Sequence, residues 1–172
     1  STITFQPTEN SGYTFNGGFV DGKSYKSVHE LPLSYTVANS ETSKKQITLL
    51  FSKDSTIVFD KEGGTYEDDA YDLKANGNHQ YYTLQANPTK EGYAFKNWLI
   101  AGSDVTLTAG NYIAYETDSD SSTHIRVYKD SSKTDKLYEC ESGLGINLIA
   151  TYQFMAFPSA TVVLDMGGGN VA

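Results

Sequence analysis

Cysteine is almost missing from this chain: Cys140 is the single one in 172 residues. No disulfide can close within the chain, and no thiolate cluster can hold a metal. So little cysteine is compatible with an exported bacterial protein without requiring one. Histidine is scarce too. His29, His79 and His124 stand apart in polar surroundings, and no two share zinc-ligand spacing. No apolar run reaches the length that crosses a bilayer, and no basic-then-apolar leader opens the chain at Ser1. Basic residues are in deficit, 13 Lys and Arg against 21 Asp and Glu, for a formal net charge of −8. Such an acidic chain repels phosphate backbones, so nucleic acid is not an expected partner, and an anionic membrane surface is disfavoured for the same reason. The plain meaning of the charge is solubility.

Catalytic groupings are also sparse. There is no Gly-x-Ser-x-Gly elbow. Gly143-Leu144-Gly145 precedes a strand pattern, so it reads as a turn and not as a nucleotide loop. Asp118-Ser119-Asp120-Ser121-Ser122 has alternating oxygens but lacks the central Gly and distal Glu of a calcium loop; a solvated loop tip is the simpler reading. Cys140 lies between Glu139 and Glu141, whose charges oppose a thiolate. No Lys–Asn or Cys–Gln pair is marked out for a covalent cross-link. The expectation is therefore no enzyme, with no catalytic, metal-binding or cofactor-binding residues and no cofactor.

Aromatics are what the chain does have, 13 Tyr and 8 Phe, residue types that suit pleated, half-buried surfaces. Period-two patterns predict strands at 2–6, 13–15, 33–37, 46–52, 56–60, 81–85, 94–100, 104–108, 112–116, 124–129, 136–140, 146–153 and 160–165. Turn signals separate many of them: Asn16-Gly17-Gly18, Asp21-Gly22, Gly63-Gly64, Asn76-Gly77 and Gly110-Asn111. Helical signal is confined to 27–31 and 68–74, each too short for an amphipathic stripe. The fold class is mostly β with at most short helices.

Polar Ser52-Lys53-Asp54-Ser55 suggests a boundary, and Phe157-Pro158-Ser159 a second. The predicted organisation is a small β unit at 1–54, a module at 55–157 and the start of a further repeat or closing strand at 158–172. Absence of a starting Met and the motif at the end lead to the expectation that the natural protein continues on both sides. Internal echoes support repetition. Asp60-Lys61-Glu62-Gly63-Gly64 returns as Asp165-Met166-Gly167-Gly168-Gly169, each after an apolar strand pattern. Pro7-Thr8 followed by Gly12-Tyr13-Thr14-Phe15 returns as Pro88-Thr89 followed by Gly92-Tyr93-Ala94-Phe95. The two intervals differ, so insertions separate the units, and the polar stretch 118–135 looks like an added hairpin.

The order strand-Asp-x-x-Gly-Gly at 57–66, then Pro88-Thr89 and Gly92-Tyr93-x-Phe95-x-x-Trp98, then the closing Leu148-x-Ala150-x-Tyr152, resembles the internalin B-repeat-like modules, also called Listeria–Bacteroides repeats. About 100 of the residues carry the likeness well, and it extends weakly into 1–54 and 161–171. Two departures stand out: the interval from Trp98 to the closing strand is longer than the family's unit, and Tyr152 stands where Trp is usual. The resemblance implies a β-grasp-like module in an extracellular protein of the bacterial cell surface, strung with neighbouring repeats as spacer, stalk or adhesion unit. A host or cell-wall protein or glycan is the implied partner, and no membrane insertion is implied for these residues.

The residues carry their own logic. Gly63-Gly64 permits a turn with positive φ. Tyr93 and Phe95 share a face by period two, and Trp98 joins them only if a bulge falls at Lys96-Asn97. With that bulge all three aromatics reach one core, which makes Trp98 a packing residue. Exposed tyrosines remain as the lead to a ligand. Tyr81, Tyr82, Tyr112 and Tyr115 are the candidate glycan or partner contacts; the alternative is that they cover a sheet face with their hydroxyls in water. Carbohydrate binding through these tyrosines is thus one alternative to the spacer reading. An accessory domain of a surface glycan-processing enzyme is another, and it would need paired carboxylates in a cleft.

Overall fold

The computed structural model describes residues 1–21, 23–26, 33–40 and 42–155, with the backbone alone for 23–26 and Leu33. Fourteen strands are present among them and no helix. They are β1 (Thr2–Phe5), β2 (Tyr13–Val20), β3 (Lys23–Lys26), β4 (Leu33–Thr36), β5 (Ile47–Lys53), β6 (Thr56–Asp60), β7 (Ala70–Asp72), β8 (Tyr81–Thr83), β9 (Tyr93–Ile100), β10 (Thr106–Leu107), β11 (Tyr112–Thr117), β12 (Thr123–Tyr128), β13 (Lys136–Glu141) and β14 (Ile146–Phe154). The mostly-β reading holds. Residues 68–74 form β7 and a turn instead of a helical segment, because Ala70 to Asp72 pairs along the edge of β6. The expected helical turn at 27–31 and strand at 160–165 lie outside the described residues.

Residues 56–154 fold as two facing sheets. The first has the order β10-β9-β14-β6-β7, with β14 and β6 parallel in its centre and β9 antiparallel on the other side of β14. The second has the order β13-β12-β11-β8 and is wholly antiparallel. Inward residues of both make one core: Ile57, Phe59, Trp98, Ile100, Leu148 and Ala150 from the first sheet, and Tyr82, Ile113, Ile125 and Val127 from the second. Alternation along each strand sends the next residues outward. The stretch 118–135 supplies β12 and the turns on either side of it, so it builds the middle of the second sheet. Among the described residues no helix crosses the first sheet, and the second sheet covers it instead.

Trp98 is the centre of this core. It is 1% exposed, with Phe59, Tyr66 and Phe95 at 5.1–5.7 Å in edge-on arrangements. Its inward position depends on a bulge: Thr151 faces Asn97 and Tyr152 faces Phe95, leaving Lys96 as the extra residue. Phe95 packs against the core from its margin. Tyr93 does not reach it. That ring is 36% exposed and lies against Tyr152 and Phe154, because it falls at the end of the ladder beyond the cover of the second sheet.

The Gly63-Gly64 turn has two separate needs. Gly63 has a φ of 81°, in the left-handed region. Gly64 is required by space: a Cβ there would collide with the Tyr152 hydroxyl and lie 2.7 Å from Thr89 O. The Tyr152 hydroxyl donates to Lys61 O, which ties this turn to β14.

The amino-terminal strands repeat this plan in reduced form. Phe51 faces Phe15 and Leu49 faces Gly18, the spacing by which Tyr152 faces Phe95 and Ala150 faces Trp98. Strand β2 therefore corresponds to β9, and β5 to β14. Likewise β3 flanks β2 as β10 flanks β9, and β1 pairs with β4 as β8 pairs with β11. Asn16-Gly17-Gly18 does not turn the chain as its composition suggests; it carries the bulge inside β2, with Gly17 at a φ of 131°. The unit has no counterpart of β6, β7, β12 or β13 among the described residues.

Candidate functional site

Two places gather polar side chains into defined geometry: the outer face of the second sheet, and the junction between the two units. The outer face is a grid set by register. Tyr81, Ala114, Arg126 and Glu139 form one row across β8, β11, β12 and β13. Thr83, Tyr112, Tyr128 and Lys136 form the next.

Tyrosines occupy one side of that face. Tyr81 and Tyr112 stack with centroids 5.3 Å apart and planes 24° apart, and His79 packs on Tyr81 at 5.7 Å. The Lys133 ammonium lies 6.0 Å from the Tyr112 ring. Alternation divides the four candidate tyrosines into two pairs. Tyr81, 39% exposed, and Tyr112 point outward. Tyr82 and Tyr115 point inward: Tyr82 is 9% exposed within the core and Tyr115 packs against it. Tyr82 donates to Asp68 at 2.7 Å and shares a hydrogen bond with the Tyr66 hydroxyl at 3.0 Å. Burial, together with those two partners, raises its pKa far above the ordinary phenol.

Ion pairs occupy the other side. Arg126 Nη1 and Nη2 meet Asp118 Oδ1 and Oδ2 at 2.7 and 2.8 Å, a two-pronged contact. Glu116 and Glu139 each approach the same guanidinium to within 3.5 Å. The Arg126 pair is the main reason Asp118 falls to about 2 from an ordinary 3.8. Burial opposes ionisation of Glu116, yet Lys133 and the Tyr128 hydroxyl hold its carboxyl below the ordinary value. Burial and Glu116 push Tyr128 up to about 12. The 118–122 turn thus serves β12: Asp118 is committed to Arg126 and His124, and Asp120 to Ser122. Among the described residues no group of His, Cys, Asp and Glu could hold a metal ion. Cys140 is half-buried on β13, and burial, reinforced by Glu139 and Glu141, raises its thiol to about 12. At neutral pH that thiol is a poor nucleophile.

Beside the tyrosines runs a shallow groove of about 310 Å³, where Glu67, Asp68, Tyr71, Tyr81 and Gln85 are among the lining residues. It offers ring surface and hydrogen-bond acceptors, with no Lys or Arg among its lining residues. Tyr71 is anchored in it by donating to His79 O at 2.8 Å. Sequence reasoning found Tyr81 but missed Tyr71 and Asp68, which come from β7 and the segment before it, and Arg126, which meets Glu139 through cross-strand pairing.

The junction is built from buried polar groups. Strand β5 passes into β6 through Asp54 and Ser55 alone, and Ser55 takes a φ of 49°. Ser52 and Ser55 are each 1% exposed, although their segment reads as a polar surface boundary. Ser52 Oγ accepts from Gly145 N at 3.0 Å, and Phe51 O accepts from Asn147 Nδ2 at 2.9 Å. Ser55 N donates to Ser142 O and Leu144 O. A Cβ on Gly145 would run into Lys53 O and lie 2.6 Å from Thr56 O. Phe19 and Leu50 close over Gly102 in the β9–β10 turn, leaving no room there for a side chain. The two units therefore meet through main-chain contact and fixed hydrogen bonds, with no linker between them.

Residues 56–121 match the family model of the Listeria–Bacteroides repeat domain. This matched stretch agrees with the resemblance drawn from Gly63-Gly64, Pro88 and Trp98, and it marks these residues as a repeat module. The family is typical of surface or extracellular bacterial proteins. No curated protein and no solved structure matches the chain.

Proposed function

We propose that this chain is a non-enzymatic extracellular segment of a bacterial cell-surface protein, in which repeated β units set end to end act as a spacer or stalk and position adhesive parts. The observation that carries this reading is the junction. Two units with the same bulged ladder follow one another through a two-residue turn, locked by the Gly145-to-Ser52 and Asn147-to-Phe51 hydrogen bonds. A linker of Gly, Ser or Pro would let units tumble; a buried polar joint holds their spacing. Its partners are neighbouring repeats and, at the protein's contact points, a host or cell-wall protein or glycan.

Spin labels at Ser11→Cys and Ser131→Cys, in a Cys140→Ser background, test the reading by electron–electron resonance. A narrow distance distribution is expected. A broad one, as from two freely jointed bodies, overturns it. A second reading, recognition of a neutral glycan, draws on the 310 Å³ groove, where tyrosine rings stand beside Asp68 and Gln85. Binding on a glycan array that is lost in Tyr71→Ala and Tyr81→Ala supports it, and a blank array removes it.

A further inference from the structure

The dipeptide Asn-Gly occurs twice in this chain, and the fold puts the two copies in opposite settings. Asn16-Gly17 sits at the bulge inside β2, where Asn16 is half-buried and Gly17 buried. Asn16 Nδ2 donates to Ser52 Oγ at 3.2 Å, and Ser52 is itself 1% exposed. Phe15 and Gly18, on either side of the pair, are in register with Phe51 and Leu49 of β5. Asn76-Gly77 sits in the turn after β7, and both residues are exposed. Gly77 supplies the positive φ of that turn, 54°, and a Cβ placed on it would meet nothing within 4 Å. Asn76 Nδ2 donates to Asp72 O, and Asn76 O accepts from His79 N, so both partners are near neighbours in the chain. Gly77 N has no hydrogen-bond partner among the described residues.

A carboxamide followed by glycine can be attacked by its own main chain. The glycine nitrogen gives its proton to solvent base and bonds to the asparagine Cγ. The Cγ–Nδ2 bond breaks, ammonia leaves, and a succinimide ring is closed. Water then opens the ring. Addition at Cγ breaks the new bond and gives aspartate; addition at the main-chain carbonyl breaks the old peptide bond and gives isoaspartate. Glycine favours closure because it has no Cβ to crowd the ring. Closure also takes the main chain out of its native path, so a folded site reacts only as its segment opens. Asn76 has to give up turn contacts alone. Asn16 has to leave a strand ladder and a buried serine.

We propose that Asn76 is a self-modification site: in the folded protein it converts without an enzyme to aspartate and isoaspartate, while the fold preserves Asn16. Either product adds a negative charge to an already acidic chain and removes the donor to Asp72 O. Isoaspartate also adds a methylene to the main chain between β7 and β8, in the segment whose His79 lines the tyrosine groove.

The full chain, incubated at mildly alkaline pH with and without denaturant and then cleaved after lysine, tests this by mass spectrometry. Asn76 falls in the peptide 75–90 and Asn16 in the peptide 1–23. The mass gain from exchanging NH2 for OH reports conversion, and electron-transfer fragmentation places it and tells aspartate from isoaspartate. In denaturant the two sites are expected to convert at like rates. In the folded chain Asn76 is expected to convert at least about tenfold faster than Asn16, since only the turn opens at little cost. Asn76→Gln, whose longer side chain would have to close a larger ring, is expected to show no gain at that position. Equal rates in the folded chain, faster conversion at Asn16, survival of Asn76 in the folded chain, or a contrast that persists in denaturant overturns the proposal.

Discussion

The two bulged ladders of this chain share a register and differ in what is built upon them. In the module the residue after the bulge is Trp98, and the sheet gains β6 beside β14 and a four-stranded sheet above it. In the amino-terminal unit the same position is Gly18, and β5 ends the sheet. Phe15, counterpart of Phe95, is fully buried and meets Phe51 edge-on at 5.8 Å, so the smaller unit does have a core. Its other described apolar side chains are only partly covered. The comparison teaches that the ladder and its bulge form a frame that survives without the tryptophan, whereas the depth of the core depends on the indole and the added strands.

The sharpest way to break the contrast is Trp98→Ala, which gives the module the small residue that the amino-terminal unit already tolerates. Loss of a buried indole costs about 3–5 kcal/mol. Chemical denaturation followed by circular dichroism should show the module's transition moving by that much. A shift below about 1 kcal/mol would mean that neighbouring rings refill the space. Gly64→Ala comes next. Gly64 has no counterpart among the described residues of the smaller unit, and its new methyl would strike the Tyr152 hydroxyl. A loss of roughly 1–3 kcal/mol is expected. Adding Tyr152→Phe should recover part of it; a purely additive double variant would show that Thr89 O is the whole obstacle.

The joint between the regions is the next target. Ser52→Ala leaves the Gly145 N–H buried without its acceptor, a cost of about 1–3 kcal/mol toward the low end, since Asn147 still bonds Phe51 O. The more telling measurement is cooperativity. Wild type should melt in one transition, and Ser52→Ala should separate an early amino-terminal transition from a later one. One unchanged transition would mean that the contacts left in place, Asn147 on Phe51 O and Phe19 and Leu50 against Gly102 among them, carry the coupling.

These residues also mark how far the sequence could be read. Strands 81–85, 94–100, 112–116 and 146–153 were legible because period-two patterning records which side meets the core. Even the bulge at Lys96-Asn97 followed from the need to turn Trp98 inward. Strand β7 carried no apolar pattern, since it is held by edge pairing to β6. Asn16-Gly17-Gly18 read as a turn because a bulge and a turn use the same residues, and the partner strand decides between them. At the outer face, Tyr81 and Tyr112 were legible as aromatics, and their separation from Tyr82 and Tyr115 required only the strand phase. Arg126 and its three carboxylates were hidden, because cross-strand neighbours are fixed by register and not by distance along the chain.

The smallest expected effect is also the most selective between regions. Asp118, Glu116 and Glu139 surround Arg126, and each is held below its ordinary value, Asp118 at about 2. A carboxyl whose folded pKa lies below its unfolded one adds stability at pH values above the unfolded pKa. That stability is lost as pH falls through the folded pKa. The window therefore opens near the ordinary values of 4.5 for Glu and 3.8 for Asp and closes near 2. In the amino-terminal unit Asp21 is lowered as well, chiefly by Gln46 N and then by Lys45, so acid reaches both regions. Replacement of the guanidinium separates them. In Arg126→Gln the second sheet should lose part of its acid dependence, since Lys133 and Lys136 still hold Glu116 and Glu139 down, and the melting temperature should fall less steeply between pH 4.5 and 2 than in wild type. Hydrogen exchange at β12 and β13 would locate the change. If the slope is the same with and without Arg126, these exposed pairs are screened by solvent, and the acid response belongs to carboxyls held down without it, Asp21, Asp120 and Asp130 among them.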